Sequence, residues 1–311
     1  MFSKVRPHSI ELFDTLRRAP SLIGESAVII ISDYISSQFT AEGGFRNRAG
    51  KCDQYYTMFG LACAEALGVY VDLNLVRSYL SRFNPEELDL VHLVCWSKSK
   101  LIIKMSENIL PYRLLAMLHN LGFRTKLDVR PDRFRASDGG FHENDNSGIS
   151  HPYAIFMGVN LYQDCGLRMP DIVKAVAALE KCRTGQGAFH NPGGGGRGML
   201  LSSCAAILAL RQLTGKADSP ALQWLSGQQG ETGGFHASPD SPMPDLLSTG
   251  VALYTLKICG HSLDSMSDKA KNFIIDHWHE NGGFTGTLVD ECTDCEYTFY
   301  ALMALGALAD D

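Results

Sequence analysis

A short glycine turn recurs through the chain at nearly even spacing, and that recurrence limits the fold more than any other feature. It reads Gly43-Gly44-Phe45, Gly139-Gly140-Phe141, Gly187-Ala188-Phe189, Gly233-Gly234-Phe235 and Gly282-Gly283-Phe284. Successive copies start 96, 48, 46 and 49 residues apart, so the period is about 48 and a degenerate copy is hidden near residue 90. Self-similarity at this period marks a supersecondary unit repeated in space. Six units fill the 311 residues.

Each glycine turn leads through a polar stretch into an apolar segment of helical length: DQYYTMFGLACAEALG, SHPYAIFMGVNLYQDCG, GMLLSSCAAILALRQLTG, DLLSTGVALYTLKICG and DCEYTFYALMALGALAD. Segments that are apolar nearly all round predict buried helices. Gly68, Gly166, Gly215 and Gly260 stand where a left-handed residue would close four of the five. A more amphipathic segment follows: LNLVRSYLSRF, PDIVKAVAALEKC, SPALQWLSGQQ and SDKAKNFIIDHW, with Asp171, Ser219 and Ser267 as expected helix starts. The hidden unit reads ELDLVHLVCWSKSKLIIKM and then ENILPYRLLAMLHNLG, keeping the helix pair without the glycines. One buried and one amphipathic helix per unit predicts concentric rings of helices. An open solenoid would satisfy the repeat too, but it needs polar capping units, and the last segment is strongly apolar. Closure is the expectation.

Composition narrows the partners. A net charge of −6 provides no general basic field, so nucleic acid is excluded and any anion site must be local. The opening MFSKVRPHSIELF lacks a secretory apolar core, and no apolar run reaches the roughly 20 residues that span a bilayer. Nine cysteines make an odd number, and Cys63, Cys95, Cys165, Cys204 and Cys259 lie in apolar helical stretches where a thiol acts as a small hydrophobe. A cytoplasmic protein with reduced thiols and no transmembrane segment is expected.

Several polar residues could carry chemistry. Arg46, Arg48 and Lys51 put three cations on one turn, which suits a phosphate or carboxylate; equally, they could face water or pair with the acidic last repeat. Asp53 and His92 could hold zinc or act as a base and its orienter, or be a helix cap and a hydrogen-bonded core histidine. His142, His190 and His236 each follow a glycine turn and read as turn histidines, whereas His151 opens an apolar helix. In the acidic stretch Asp290 to Glu296, the lone Cys292-x-x-Cys295 pair has no partner pair. Asp294 and Glu296, with Asp245 behind them, could be carboxylic acids with raised pKa values, or caps of the helices they precede. Gly193 to Gly196 before Arg197 reads as a rim loop or an anion cradle. Tyr55, Tyr56, Trp96, Tyr153, Phe156, Tyr254, Tyr297 and Phe299 could stabilise a carbocation or simply fill the core.

The glycine turns, the stretch Gln229-Gly-Glu-Thr-Gly-Gly-Phe235, which is similar to a QxxxGG-aromatic signature, and the apolar helices that follow resemble the terpenoid cyclase and protein prenyltransferase beta-subunit superfamily. The resemblance runs from about Ser26 to the end of the chain. It implies an all-α (α/α)6 toroid of six helical-hairpin repeats, formed by residues 1–311 as a single domain. Cyclases of this superfamily carry a DxDD acid. Asp245-Leu-Leu-Ser-Thr249 and Asp294-Cys-Glu-Tyr-Thr298 keep its first aspartate and lose the pair that follows. Prenyltransferases hold a diphosphate from a GRxxK turn, to which Arg48 and Lys51 are similar, and bind zinc through a DxC pair and a histidine. Asp53 matches, Tyr55 stands where the cysteine would be, and Asp89-Leu-Val-His92 is similar to the histidine element. These matches fall in the first two repeats, whereas the family uses its last two.

The resulting expectation is a terpenoid-cyclase-like enzyme that promotes acid cyclisation or rearrangement of an isoprenoid or similar hydrophobic substrate in an apolar central cavity. Asp294, Glu296 and Asp245 are the acids; Arg46, Arg48, Lys51, Tyr56, Trp96, His151 and Arg197 line or hold the substrate. A prenyltransferase-like enzyme with a metal, zinc, at Asp53 and His92 is one alternative, and a non-catalytic toroid that binds a lipid or partner is another.

Overall fold

A computed structural model of the chain describes residues 5–107, 129–144, 149–193 and 195–310. Among these residues the helices, in chain order, are α1 His8–Leu16, α2 Glu25–Gln38, α3 Gln54–Leu67, α4 Leu73–Leu80, α5 Leu90–Glu107, α6 Pro152–Asp164, α7 Ile172–Glu180, α8 Leu200–Thr214, α9 Ser219–Ser226, α10 Leu246–Ile258, α11 Ser267–Asp276 and α12 Cys295–Leu308. The second helical segment of the hidden repeat, beyond Glu107, lies outside the described residues. The five apolar segments that follow glycine turns are α3, α6, α8, α10 and α12, and their neighbours α4, α7, α9 and α11 are the amphipathic ones.

The chain forms two compact units. One comprises Met1–Glu11 and Asn84–Gln228; the other comprises Leu12–Phe83 and Gln229–Asp311. In the first, α6 packs between α5 and α8, and α7 and α9 lie against α8. In the second, α12 packs on α10, α3 and α11, and α2 lies on α3. The second unit therefore joins the first repeat to the last.

A single polar relay positions the start of the inner helices. In the second unit the amides of Phe45, Phe235 and Phe284 donate to the hydroxyls of Thr57, Thr249 and Thr298 at 2.9, 2.9 and 3.4 Å. Each hydroxyl in turn donates to a carbonyl one helical turn back, that of Asp53, Asp245 or Asp294, at 2.6, 2.8 and 2.7 Å. In the first unit Ser203 does the same between Phe189 and Met199, at 2.8 Å to each. The relay satisfies a buried amide that neither helix nor sheet reaches. It fixes the GGF turn to the helix that follows.

The turn also demands its glycines. Gly43, Gly233 and Gly282 hold φ of 96, 92 and 92°, and a Cβ there would lie 2.3, 2.1 and 2.3 Å from the carbonyl oxygens of Leu75, Lys269 and Ile30. The backbone of an outer helix thus rests directly on each turn, and α2 fills that place for the last repeat. The phenylalanine ring packs on a bare backbone of the next helix: a Cβ on Gly60 would meet Phe45 at 2.2 Å, and one on Gly158 would meet Phe141 at 2.4 Å. At the other helix ends Gly68, Gly166, Gly215 and Gly260 are all left-handed, as the sequence predicts.

The helix starts depart from expectation in detail. Ser219 is the first residue of α9, and its cap is Asp218, which accepts from the Ala221 amide at 3.2 Å. Ser267 likewise opens α11 from inside, behind Met266, with no side-chain cap. Asp171 does precede α7, but at φ 50°, the one positive value outside glycine among the described residues, and its side chain caps nothing.

The relay has a measurable worth. Thr249→Val keeps the shape of a fully buried side chain but removes the acceptor of the Phe235 amide. Denaturant titration should show a loss of about 1–3 kcal/mol, the cost of a buried unpaired amide, and Thr249→Ser should restore most of it.

Candidate functional site

The basic turn is built by its own backbone. Phe45–Arg46 pairs antiparallel with Cys52–Asp53, and Asn47 closes the loop, its amide donating to the Lys51 carbonyl at 2.8 Å while its side-chain oxygen accepts from the Ala49 and Lys51 amides. Gly50, at φ 75°, completes the turn. Arg48 therefore projects from the tip of a closed hairpin. It reaches the last repeat. Its Nε donates to Asp294 at 2.6 Å, and its two Nη groups donate to both oxygens of Asp290 at 2.7 and 3.4 Å. The guanidinium also lies 5.2 Å from the centre of the Tyr297 ring. Of the readings open to the three cations, Arg48 thus follows the pairing with the acidic last repeat. Arg46 and Lys51 are exposed, Arg46 donating to the Ser37 carbonyl.

The carboxylates predicted as acids divide by their partners. Asp294 is 3% exposed and caps α12, accepting from the Tyr297 amide at 2.8 Å. Burial pushes its carboxyl above the usual range, against the pull of that amide and of Arg48. Asp245 is the equivalent cap of α10, held by the amide and hydroxyl of Ser248 at 2.7 Å each, and burial raises it as well. Asp53 is the equivalent cap of α3, taking the amides of Tyr55 and Tyr56 at 2.8 and 3.1 Å. Glu296 is different. It is half-buried and accepts one hydrogen bond, from the Tyr55 hydroxyl at 2.7 Å. Burial raises its pKa; the tyrosine pulls it down, the Asp294 charge pushes it up and the Arg48 charge pulls it down.

Aromatic rings cluster around Tyr55, the partner of Glu296. Tyr55 packs edge-on against Tyr56 and Phe59, with centroids 5.7 and 4.9 Å apart, and Phe59 packs against Phe299 at 5.0 Å. Burial, helped by the negative charges of Asp294 and Glu296, pushes the Tyr56 hydroxyl up to about 12, so it stays protonated. An ionised Asp294 has the cation and amide it needs. Glu296 has a hydroxyl as its direct partner and feels Arg48 only through space, so it is the carboxyl of the pair better suited to carry a proton.

The remaining expected residues lie elsewhere. Trp96 is buried in α5 with the Lys100 ammonium 4.2 Å from its ring centre. His151 caps α6 through Nδ1, accepting from the Ala154 amide at 3.4 Å, and its Nε2 is 3.6 Å from Glu143; burial lowers its pKa. Arg197 is exposed, and Gly194 of its loop is outside the described residues. The three turn histidines are not alike: His142 is buried, whereas His190 and His236 are partly exposed, each bonded through Nδ1 to a nearby carbonyl. Cys292 is exposed and Cys295 buried, both as free thiols.

Zinc finds no support. Asp53 already gives its oxygens to two helix amides and Asn47, and His92 is an exposed partner of Asp89 at 2.8 Å. Among the described residues no three His, Cys, Asp or Glu side chains gather as a metal ion would need. Asp53 and His92 do not fit a zinc site. Sequence reasoning also passed over Lys98, buried on α5 and bonded to Ser9 and, at 3.3 Å, to Asp164. A lysine in the middle of an apolar inner helix was the available signal.

The family model described as the prenyltransferase alpha-alpha toroid domain matches residues 27–95 and 199–311, more than half of the chain. The chain belongs to that family. As a prenyltransferase toroid chain it is all-α, and the match includes both the basic turn and the acidic last repeat. Its fold is similar to that of a protein from Actinoplanes, at 15% identity and a TM-score of 0.55 over 91% of this chain and 98% of that one. It is also similar to the type II terpene cyclase MstE from Scytonema, at 10% identity and a TM-score of 0.57 over 94% and 97%. A variant of that cyclase has been solved with geranylgeranyl dihydroxybenzoate as substrate, at 11% identity and a TM-score of 0.53 over 94% and 97%. No curated protein has a matching sequence. Identities this low establish the toroid and leave its chemistry to the site. No helix among the described residues is long and apolar enough to cross a membrane.

The two carboxylates on Arg48 should differ in stability. Arg48→Gln leaves Asp294 buried without its cation and should cost about 2–3 kcal/mol. Asp290→Asn breaks only the outer pair and should cost less than about 1 kcal/mol. Adding Asp294→Asn to Arg48→Gln should recover part of the loss, which a double-mutant cycle by denaturant titration measures.

Proposed function

We propose that this toroid is a terpenoid-cyclase-like enzyme in which Glu296 donates the proton that starts cyclisation or rearrangement of an isoprenoid or similarly hydrophobic substrate. One observation carries the reading: two carboxylates two residues apart, the cap of α12 and a residue of its first turn, have opposite surroundings. Asp294 is paired with Arg48, while Glu296 faces a tyrosine hydroxyl among aromatic rings. The type II terpene cyclase with a similar fold and its geranylgeranyl substrate support the substrate class. The family match, which runs through both compact units, supports one toroid domain over residues 1–311.

Glu296 in its acid form would transfer its proton to a terminal alkene carbon. The π electrons form the new C–H bond, and the neighbouring carbon becomes cationic. A second alkene closes on that carbon, and loss of a proton from the final cation to the carboxylate restores the acid. Tyr55, Tyr56, Phe59 and Phe299, which pack together, would offer π-faces that favour positive charge. Arg48, with Lys51 and Arg46 on the same turn, would hold an anionic head group. Asp245 caps α10 and Asp294 caps α12, so both act through structure in this reading.

Purified protein incubated with geranylgeranylated aromatic acids should yield cyclised products by gas chromatography–mass spectrometry. Glu296→Gln should reduce turnover by about 10²–10⁴-fold while substrate binding persists. The rate should fall as pH rises through the raised Glu296 pKa, because the acid form is the active one. Tyr55→Phe removes a hydrogen bond that favours the carboxylate and should move that limb to higher pH. Full turnover in Glu296→Gln would exclude the assignment; binding without turnover in every form would favour the non-catalytic toroid.

A further inference from the structure

We infer that Asp290 is an internal anion seated on the outer face of Arg48, and that a ligand bearing a carboxylate or phosphate head group binds by displacing it. The inference rests on Arg48 as the head-group holder of the proposed function. Arg48 has two faces with unequal partners. Its Nε is committed to Asp294, which is 3% exposed, while its Nη fork is taken by both oxygens of Asp290, 22% exposed. Two oxygens of one carboxylate on a guanidinium fork form the contact that a ligand carboxylate or phosphate would make. Asp290 occupies that place.

Three features make the outer pair the exchangeable one. Exposed ion pairs contribute little because water replaces them, whereas removing Arg48 from Asp294 would strand a buried charge. Asp290 keeps a second partner when it leaves Arg48, since its Oδ1 also accepts from the Cys292 amide at 3.1 Å. The segment that carries it is held by a turn, the Asp290 amide donating to the Thr287 carbonyl at 3.1 Å, and buries little apolar surface, Leu288 and Val289 being 63% and 73% exposed. Arg46 and Lys51 stand exposed on the opposing turn, so the site gains positive potential once Asp290 moves away.

Isothermal calorimetry on the full chain at low ionic strength, with inorganic pyrophosphate and separately with farnesyl diphosphate, tests this. Asp290→Asn should bind pyrophosphate about fivefold more tightly than the natural protein, the gain expected from removing an exposed competitor. Glu291→Gln removes the same charge from the exposed neighbouring residue and should change nothing. Adding Arg48→Lys to Asp290→Asn should abolish the gain, because an ammonium offers no fork. Tighter binding of farnesyl diphosphate than pyrophosphate would identify a lipid head group; equal binding would identify a free anion. No gain in Asp290→Asn, an equal gain in Glu291→Gln, or a gain that survives Arg48→Lys would overturn the inference. The acid assignment fails separately: Glu296→Gln should keep the pyrophosphate gain, so active Glu296→Gln protein would remove the acid and leave the Asp290 result standing.

Discussion

The relay from phenylalanine amide to hydroxyl to helix carbonyl is the constraint on which the other features depend. It ties the turns at Phe45, Phe189, Phe235 and Phe284 to the helices after them, so the chain enters α3, α8, α10 and α12 in the same extended conformation. The residue before the first helical turn is thereby set as an N-cap, where a side-chain oxygen meets free amides. Aspartate is favoured there for reasons of hydrogen bonding and helix dipole alone. Asp53, Asp245 and Asp294 occupy this place in three repeats. Their carboxylates are consequences of the fold before they are candidates for chemistry.

That equivalence explains what the sequence disclosed and what it did not. Glycine turns, left-handed helix ends and apolar inner helices are local features, legible because each depends on a few neighbouring residues. The three aspartates were legible as residues but ambiguous in role, since a cap and an acid have the same side chain at the same place. The contact of Arg48 with Asp290 and Asp294 joins residues 242 and 246 positions apart. Only the expected closure of first repeat on last anticipated it, and nothing local could say which of three cations would make it. Lys98 with Asp164 was missed for the same reason.

Capping has an electrostatic cost at Asp294. Asp53 remains partly exposed, but Asp294 is sealed between α12 and the first repeat, where burial raises its pKa. Arg48 is the compensation, arriving from a hairpin whose backbone is closed by Asn47. The basic turn is thus distinguished from the other four glycine turns by the acid it serves. A cation placed for that purpose still has an outer face, and that face is chemically competent to hold another anion.

Departures from the repeat are therefore more informative than the repeat itself. Two residues beyond each aspartate cap stand Tyr55, Leu247 and Glu296. Equivalent positions on first and last inner helices meet, and there the repeat supplies a hydroxyl on one side and a carboxyl on the other, bonded at 2.7 Å. No capping duty or ion pair requires a glutamate at that place, and leucine serves the repeat before it. A half-buried carboxyl whose burial outweighs the pull of Tyr55 and of the Arg48 charge costs stability when ionised: its raised pKa makes its contribution most favourable at low pH and loses it as pH rises through that value. A residue that the fold does not need and that weakens it near neutrality is the kind expected where chemistry, rather than architecture, determines the side chain.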